Sequence, residues 1–284
     1  MSKIAIALGT FDGIHLGHTA VLNKTVGFKK IALTFNTPPK GGNTNLLMTP
    51  EEKNKSLEIM GIKPIVLDFK EVKNLSPLEF LNNVKEKYNP SVIASGFNFH
   101  FGKNAEGNTD ILLDFCNKNG IEYRLSNAVM FENAPISSTR IRQAVAKGDV
   151  LSAFQMLGRY FSFETQVTHG EKRGRTIGFP TINQPYPKEL VVPRFGVYAS
   201  MVQIDGKVYP AVTDIGIRPT FETDYIISET NIMDYNGDAY EKSARISLVG
   251  FLRDETKFGS LNELKSAIAK DKEKASKILE KISI

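Results

Sequence analysis

The chain has 284 residues, 41% of them hydrophobic and 24% charged, with a formal net charge of +5. This is a globular balance, long enough for two domains with a substantial core in each. No apolar stretch approaches the ~20 residues that span a bilayer. The start, Met-Ser-Lys, leaves no room for a signal peptide, and the single cysteine, Cys116, excludes an internal disulfide and fits a reducing, cytoplasmic setting.

Ile4-Ala5-Ile6-Ala7-Leu8 is a continuous apolar run, the pattern of a buried parallel strand. It feeds Gly9-Thr10-Phe11-Asp12-Gly13-Ile14-His15-Leu16-Gly17-His18, after which residues 18–25 can start a helix. Such a strand–loop–helix turn gathers backbone N–H groups and a positive helix end at one point, where a phosphate can bind. Gly13 and Gly17 lack a Cβ and permit close approach of a ligand. His15 and His18, three residues apart, can face the same phosphate and stabilise developing charge without covalent chemistry. A bare His-x-Gly-His is equally compatible with ordinary histidines. Four histidines and one cysteine in the whole chain argue against a closed zinc site. With the strand and Gly-Thr-Phe-Asp, the loop resembles the nucleotidyltransferase superfamily, whose members attack the α-phosphate of a nucleoside triphosphate. That resemblance makes Gly9, Thr10, Phe11, Asp12, Gly13 and Gly17 nucleotide-binding candidates.

A second apolar run covers residues 30–35 and ends in Asn36-Thr37-Pro38-Pro39. Gly41-Gly42-Asn43 reads as a loop. Thr49, Pro50 and Glu52 form a capping pattern for a helix ending near Gly61. Residues 65–67 give a third strand. Ser76-Pro77-Leu78-Glu79 repeats the cap for a helix through Tyr88, and residues 91–95 give a fourth strand before Gly96-Phe97-Asn98-Phe99-His100-Phe101-Gly102. A helix over 109–119 and a strand over 122–125 follow. Strands alternating with helices predict an open parallel α/β sheet with ligands at the strands' carboxyl ends. Ile136-Ser137-Ser138-Thr139-Arg140-Ile141-Arg142 opens a helix through Lys147. Hydroxyls and two arginines there make either a second phosphate-binding helix end or a plain N-cap with solvated arginines. Residues 150–157 add a short helix.

From Tyr160 the texture changes. Residues 161–167, 191–192, 197–204, 207–212 and 244–249 are short β-branched runs separated by Gly, Pro and Asp-Gly turns. Asp205-Gly206 is a strong hairpin signal. A small antiparallel barrel is predicted, with terminal helices over 256–281 and a domain boundary near 158–160. Residues 265–281 hold six lysines against Asp271, Glu273 and Glu280. Much of the positive charge, and the pI near 9.0, therefore belongs to one helix whose Leu264, Ile268 and Leu279 can face inward. With no basic run interleaved with aromatics, nucleic-acid binding is not expected.

Within the barrel region lies Gly170-Glu171-Lys172-Arg173-Gly174-Arg175-Thr176-Ile177-Gly178-Phe179-Pro180-Thr181-Ile182-Asn183. Its glycines and cations can wrap polyphosphate, or it is a basic surface hairpin. Thr181 and Asn183 alternate onto one face and could offer neutral oxygens to Mg²⁺. Glu229, alone in Ser228-Glu229-Thr230-Asn231-Ile232, could be a general base, an exposed strand residue or half of an ion pair.

Together these segments resemble the bacterial bifunctional riboflavin kinase/FAD synthetase family over nearly the whole length. The first-domain motifs resemble its FMN adenylyltransferase module. Gly-Phe-Pro-Thr-Ile-Asn, Gly196-Val197-Tyr198, Ile215-Gly216-Ile217-Arg218-Pro219-Thr220-Phe221, Glu229-Thr230 and Leu252-Arg253-Asp254-Glu255 resemble its riboflavin kinase module. The resemblance implies a Rossmann-like α/β nucleotidyltransferase domain over 1–158 and a kinase barrel over 159–284. The barrel would phosphorylate riboflavin with MgATP, using Glu229 as base and Thr181 and Asn183 at the metal. The first domain would then adenylylate FMN to FAD and release pyrophosphate. Its ATP contacts would include His15, His18, Asn98, Ser138, Thr139 and Arg142. The kinase nucleotide would meet Gly170, Lys172, Arg175, Gly178 and Pro180. Flavins are then substrate and product, Mg²⁺ accompanies ATP, no membrane is involved, and a monomer or weak homo-oligomer is expected.

Three departures from the family pattern bear on this. The histidine usual between two prolines after Phe35 is absent, so Lys40 becomes the substitute phosphate contact and FAD synthesis the slower activity. The helix after His18 is short. Asp214 stands where the family commonly has Asn. A kinase with weak or lost adenylyltransferase activity, and a flavin-binding regulatory protein, are the alternative readings.

Overall fold

The computed structural model describes residues 3–36, 45–169, 178–218 and 225–282. The expectations for Pro38, Lys40, Gly170, Lys172 and Arg175 lie outside the described residues. The chain divides into two compact units, Met1–Arg140 and Ile141–Ile284.

In the first unit, β1 (Ile4–Leu8), β2 (Lys29–Thr34), β3 (Ile62–Val66), β4 (Val92–Gly96) and β5 (Glu122–Ser126) form a parallel sheet in the order β3-β2-β1-β4-β5. The alternation within β1 decides what packs on each face. Ile6 and Leu8 join Ile31, Leu33 and Ile93 under α4 (Pro77–Tyr88) and α5 (Thr109–Lys118). Ala7, Ala32 and Ala94 are small, which brings Leu22 of α1 (Leu16–Asn23) and Leu57 of α2 (Pro50–Ile59) close to the other face. Strand order reverses at β1, so the crevice opens beside its carboxyl end. Both predicted capping boxes form, at Thr49 and Ser76.

Differences from expectation have local causes. Helix α1 begins two residues early because His15 is itself the N-cap, its Nδ1 accepting from the His18 N–H at 3.2 Å. Strand β3 reaches back to Ile62 although Lys63 and Pro64 interrupt its apolar run; as an edge strand it tolerates the proline. Helix α3 (Phe69–Val72) and the hairpin β6 (Met130–Phe131) to β7 (Ala134–Pro135) are too short to show any period.

Helix α6 (Ser138–Ala146) starts in the first unit and ends in the second, where α7 (Val150–Leu157) follows. Val145 accepts from the Arg194 N–H (3.3 Å) and Phe154 stacks on Tyr160, which ties this stretch to the second unit. There β8 (Phe161–Gln166), β9 (Ile182–Pro185), β10 (Gly196–Ile204), β11 (Lys207–Arg218), β12 (Tyr225–Ile232) and β13 (Ser243–Arg253) pair antiparallel in the order β8-β13-β10-β11-β12-β9. The sheet curls into a half-barrel whose edge strands approach each other: Thr168 forms an isolated bridge to Asn183, and Gln184 Nε2 donates to the carbonyls of Thr165 (2.7 Å) and Ala244 (2.8 Å). Asp205 and Gly206 both take positive φ, as the expected hairpin turn requires. Residues 191–192 are not a strand: Val191 is buried in a connection, its carbonyl accepting from Tyr186 Oη at 2.6 Å. One described helix, α8 (Leu261–Leu279), covers the end of the chain and buries Ala275 and Leu279 against Val197, Ala199 and Val249.

Candidate active sites

The first site is the loop between β1 and α1. His15 is 5% exposed, and its ring stacks on His18 at 3.6 Å between centroids and 17° between planes. Because His15 Nδ1 accepts from the His18 N–H, its ring proton belongs on Nε2. Phe11 meets the His18 ring edge-on at 5.4 Å. The glycines serve packing more directly than ligand approach. A Cβ on Gly17 would lie 3.1 Å from the His15 ring, and one on Gly13, at φ +78°, would collide with Leu47 at 2.8 Å. Asp12 is turned inward, its Oδ1 accepting from the Leu47 N–H (3.0 Å) and its carbonyl from Ser138 Oγ (3.1 Å).

Gly9, Thr10, Phe11, His15, Gly17, His18, Asn98 and Ser138 line one cleft of about 360 Å³. A second cleft, about 640 Å³, is walled by Phe35, Phe69, Phe80, Phe99 and Phe101 and shares Leu8, Gly9, Thr10, Phe99 and His100 with the first. One is polar enough for phosphates and the other suits a flat apolar ring. They meet at Gly9 and Thr10.

The two arginines of Ser-Thr-Arg-Ile-Arg part company. Ser137 caps α6 by accepting from the Arg140 N–H (3.3 Å). Arg140 Nη1 is spent on the hairpin, donating to the carbonyls of Phe131 (3.1 Å), Ala134 (2.8 Å) and Pro135 (3.0 Å). Thr139 follows Ser138 on the first turn of α6, and Arg142 lies past the boundary at Arg140, in the second unit.

The second site is a row across the barrel wall. Register places Asn183 opposite Glu229, Glu229 opposite Asp214, Asp214 opposite Val197 and Val197 opposite Arg253. Residues opposite one another share a face of the sheet. Asp214, Arg218, Glu229, Arg253 and Glu255 line a cleft of about 570 Å³ with Thr181; Phe179, Phe258, Leu264 and Ile268 form its apolar side. Glu229 is half of an ion pair with Arg218. Arg253 pairs with the buried Asp271 of α8 at 2.9 Å. Asn183 is buried, and among the described residues its Oδ1 has no hydrogen-bond partner. The Pro180 carbonyl accepts from Asn231 Nδ2 at 2.7 Å, and Gly178 sits at φ +84° just before it.

Burial first, then the Glu255 and Glu229 carboxylates, push Asp214 up to about 6. Its folded pKa lies above the unfolded value, so its contribution to stability is present in acid and lost as pH rises through about 6. Asp214→Asn should therefore stabilise the protein at pH 8 by about 2–3 kcal/mol and change little near pH 4. Denaturant unfolding at both pH values measures this. An equal gain at both would assign the effect to packing.

Arg218, Arg253, Glu255 and Asp271 carry much of this cleft's charge without having been singled out from the sequence as site residues. Arg218, Arg253 and Glu255 did stand inside family-like motifs. Lys53 gave no signal: it reads as one more charge in Pro50-Glu51-Glu52-Lys53-Asn54-Lys55, yet it is buried behind the first site.

A doubly wound sheet with paired histidines at its crevice, and a curled antiparallel half-barrel with a carboxylate cleft, point to a class of enzyme that transfers phosphate-containing groups at two separate places. Comparison with known proteins makes that specific. A riboflavin kinase family profile matches residues 157–279 and an FAD synthetase profile matches residues 1–140. A Bacillus subtilis protein named bifunctional riboflavin kinase/FMN adenylyltransferase is 34% identical over 96% of this chain and 92% of its own. The Listeria monocytogenes protein of the same name is 32% identical over 94% and 90%. A Streptococcus pneumoniae crystal structure titled macrolide-efflux protein superposes with a TM-score of 0.87, at 30% identity over 96% of this chain and 93% of that one. The chain belongs to the bifunctional riboflavin kinase/FMN adenylyltransferase family. Its reactions are the two steps of FAD biosynthesis, phosphorylation of riboflavin to FMN and adenylylation of FMN to FAD. Among the described residues, no helix is long and apolar enough to cross a membrane.

Proposed function

We propose that adenylyl transfer takes place where the two clefts of the first unit meet, and riboflavin phosphorylation in the Glu229 cleft of the second, with functional modules over 1–158 and 159–284. The observation that carries this is the pairing of each polar cleft with a flat apolar wall, once beside His15 and His18 and once beside Glu229.

In the first site, ATP lies along the Gly9–His18 loop, with Asn98, Ser138 and Thr139 beside it. The isoalloxazine ring of FMN occupies the phenylalanine cleft, which brings its phosphate to Thr10. That phosphate is already ionised, so no strong base is needed. Its oxygen attacks the α-phosphorus, the α–β bridging bond breaks, and His15 Nε2–H and His18 stabilise the charge passing to pyrophosphate.

In the second site, Glu229 takes the proton of riboflavin's 5′-hydroxyl as the oxygen attacks the γ-phosphorus and ADP leaves. Release from Arg218 frees the carboxylate for this. The orphaned Asn183 Oδ1, with Thr181 two residues before it on the same face, fits the neutral-oxygen side of a Mg²⁺ site. When bound, that ion would neutralise phosphate charge; Gly178 and Pro180 shape the backbone that leads into it. A cytoplasmic monomer or weak homo-oligomer is the setting we expect.

The test is the product formed from riboflavin and MgATP by the purified chain. FMN followed by FAD is expected. Accumulation of FMN alone would favour the kinase-only reading, and no turnover would favour a flavin-binding regulator.

A further inference from the structure

Behind the nucleotide loop sits Lys53, on α2 and 3% exposed. Its Nζ donates to the Thr10 carbonyl (3.3 Å), to Thr34 Oγ1 (3.3 Å) and to the Phe35 carbonyl. Thr34 Oγ1 in turn donates to the same Thr10 carbonyl at 2.8 Å. These acceptors lie where β1 and β2 leave the sheet and their carbonyls run out of ladder partners. Thr10 belongs to both clefts, and Phe35 walls the apolar one.

We propose that Lys53 is a positioning residue for adenylyl transfer, its ammonium locking the Thr10 end of the nucleotide loop to the Phe35 wall of the flavin cleft. The inference rests on the assignment of adenylyl transfer to the first unit. Attack in line requires the two substrates to be held in one geometry, and small displacements cost rate. An ammonium suits the task because it supplies three donors for three acceptors. It also places a positive charge directly behind the phosphate loop.

Packing alone is a poor account of this residue. Burial pushes the lysine down to about 8, with the Asp12 carboxylate opposing. A folded pKa below the unfolded one means that the ammonium is held at a cost to stability at neutral pH. An apolar side chain of similar volume would escape that cost. Among the described residues, Asp12 faces it from the loop, Glu52 of its own helix is turned to the Thr49 cap, and Thr10, Thr34 and Phe35 are uncharged.

The experiment uses the full chain and measures both steps from pH 6.5 to 9.5, FAD from added FMN and FMN from riboflavin, each with MgATP. Wild-type adenylylation should fall as pH rises through about 8, where the ammonium loses its third donor. The kinase step in the same preparation should show no such break. Lys53→Arg keeps the charge at every pH tested and should move the break out of range. Lys53→Met should lower kcat for FAD formation ~10-fold or more, with a flat response near pH 8 and kinase activity intact. Wild-type adenylylation by Lys53→Met, or a break that persists in Lys53→Arg, would overturn the proposal. If Lys53→Met melts the first unit, the Lys53→Arg profile decides alone. Failure of the underlying site assignment has a different signature, FAD formation indifferent to His15 and His18.

Discussion

Glu229→Gln should lower riboflavin phosphorylation by ~10²-fold or more, the scale of a positioned general base, while adenylylation of added FMN survives. The amide keeps the size of the side chain and removes only its ability to take a proton. Two carboxyl groups compete for the role, because Asp214 stands directly opposite Glu229 and, held up to about 6, is itself poised near neutrality. Position decides between them. Glu229 adjoins Asn183 in the row and is paired with the half-buried Arg218 at the cleft surface, whereas Asp214 is the more deeply buried acid, one strand further from Asn183. Steady-state kinase rates of Glu229→Gln and Asp214→Asn measured side by side settle it. Asp214→Asn should keep most of the rate. The reverse order would transfer the base to Asp214, and a near-normal Glu229→Gln enzyme would remove Glu229 from the mechanism.

The sequence carries the local devices of this fold well, and the reason is that they are local. His15 to His18 is one helical turn, Thr49 and Ser76 cap through residues three positions on, and Asp205-Gly206 closes a hairpin within its own two residues. What it does not carry is register. The kinase row joins residues 183, 229, 214, 197 and 253, and nothing in the chain order says that they stand side by side. Arg140 shows the same limit at short range. From the sequence it could face a phosphate or solvent, until the β6–β7 hairpin, four paired residues in all, claims its guanidinium. Lys53 is the extreme case. Its neighbours Glu51, Glu52 and Lys55 are polar, and its own type is rarely buried, so only Leu57, one turn on, shares its buried face. Lys53 is buried only because α2 lies across the ends of two strands distant in sequence.

Replacing His15 or His18 should slow FAD formation by ~10²–10³-fold, the usual consequence of losing one donor to developing charge, and leave riboflavin phosphorylation untouched. The structure adds a complication that the sequence did not show. His15 is the N-cap of α1 as well as the proposed phosphate donor, and an Ala in its place would lose about 1 kcal/mol of helix stability along with the imidazole. Asn separates the two. Its side-chain oxygen is among the best N-caps, so His15→Asn should melt like wild type while still failing at adenylyl transfer. His18→Gln makes the companion measurement on a residue that is not the N-cap of α1. Because the rings stack at 3.6 Å and face the same cleft, they act as one unit. The double variant should therefore lose little more than the worse single one, well short of the product of the two effects. Rates of FAD formation for the two singles and the double, with kinase rates as the internal control, test the whole scheme. A His15→Asn enzyme that adenylylates normally would show that the ring at this position is a cap and nothing more. Equal loss of both activities would point to a folding defect.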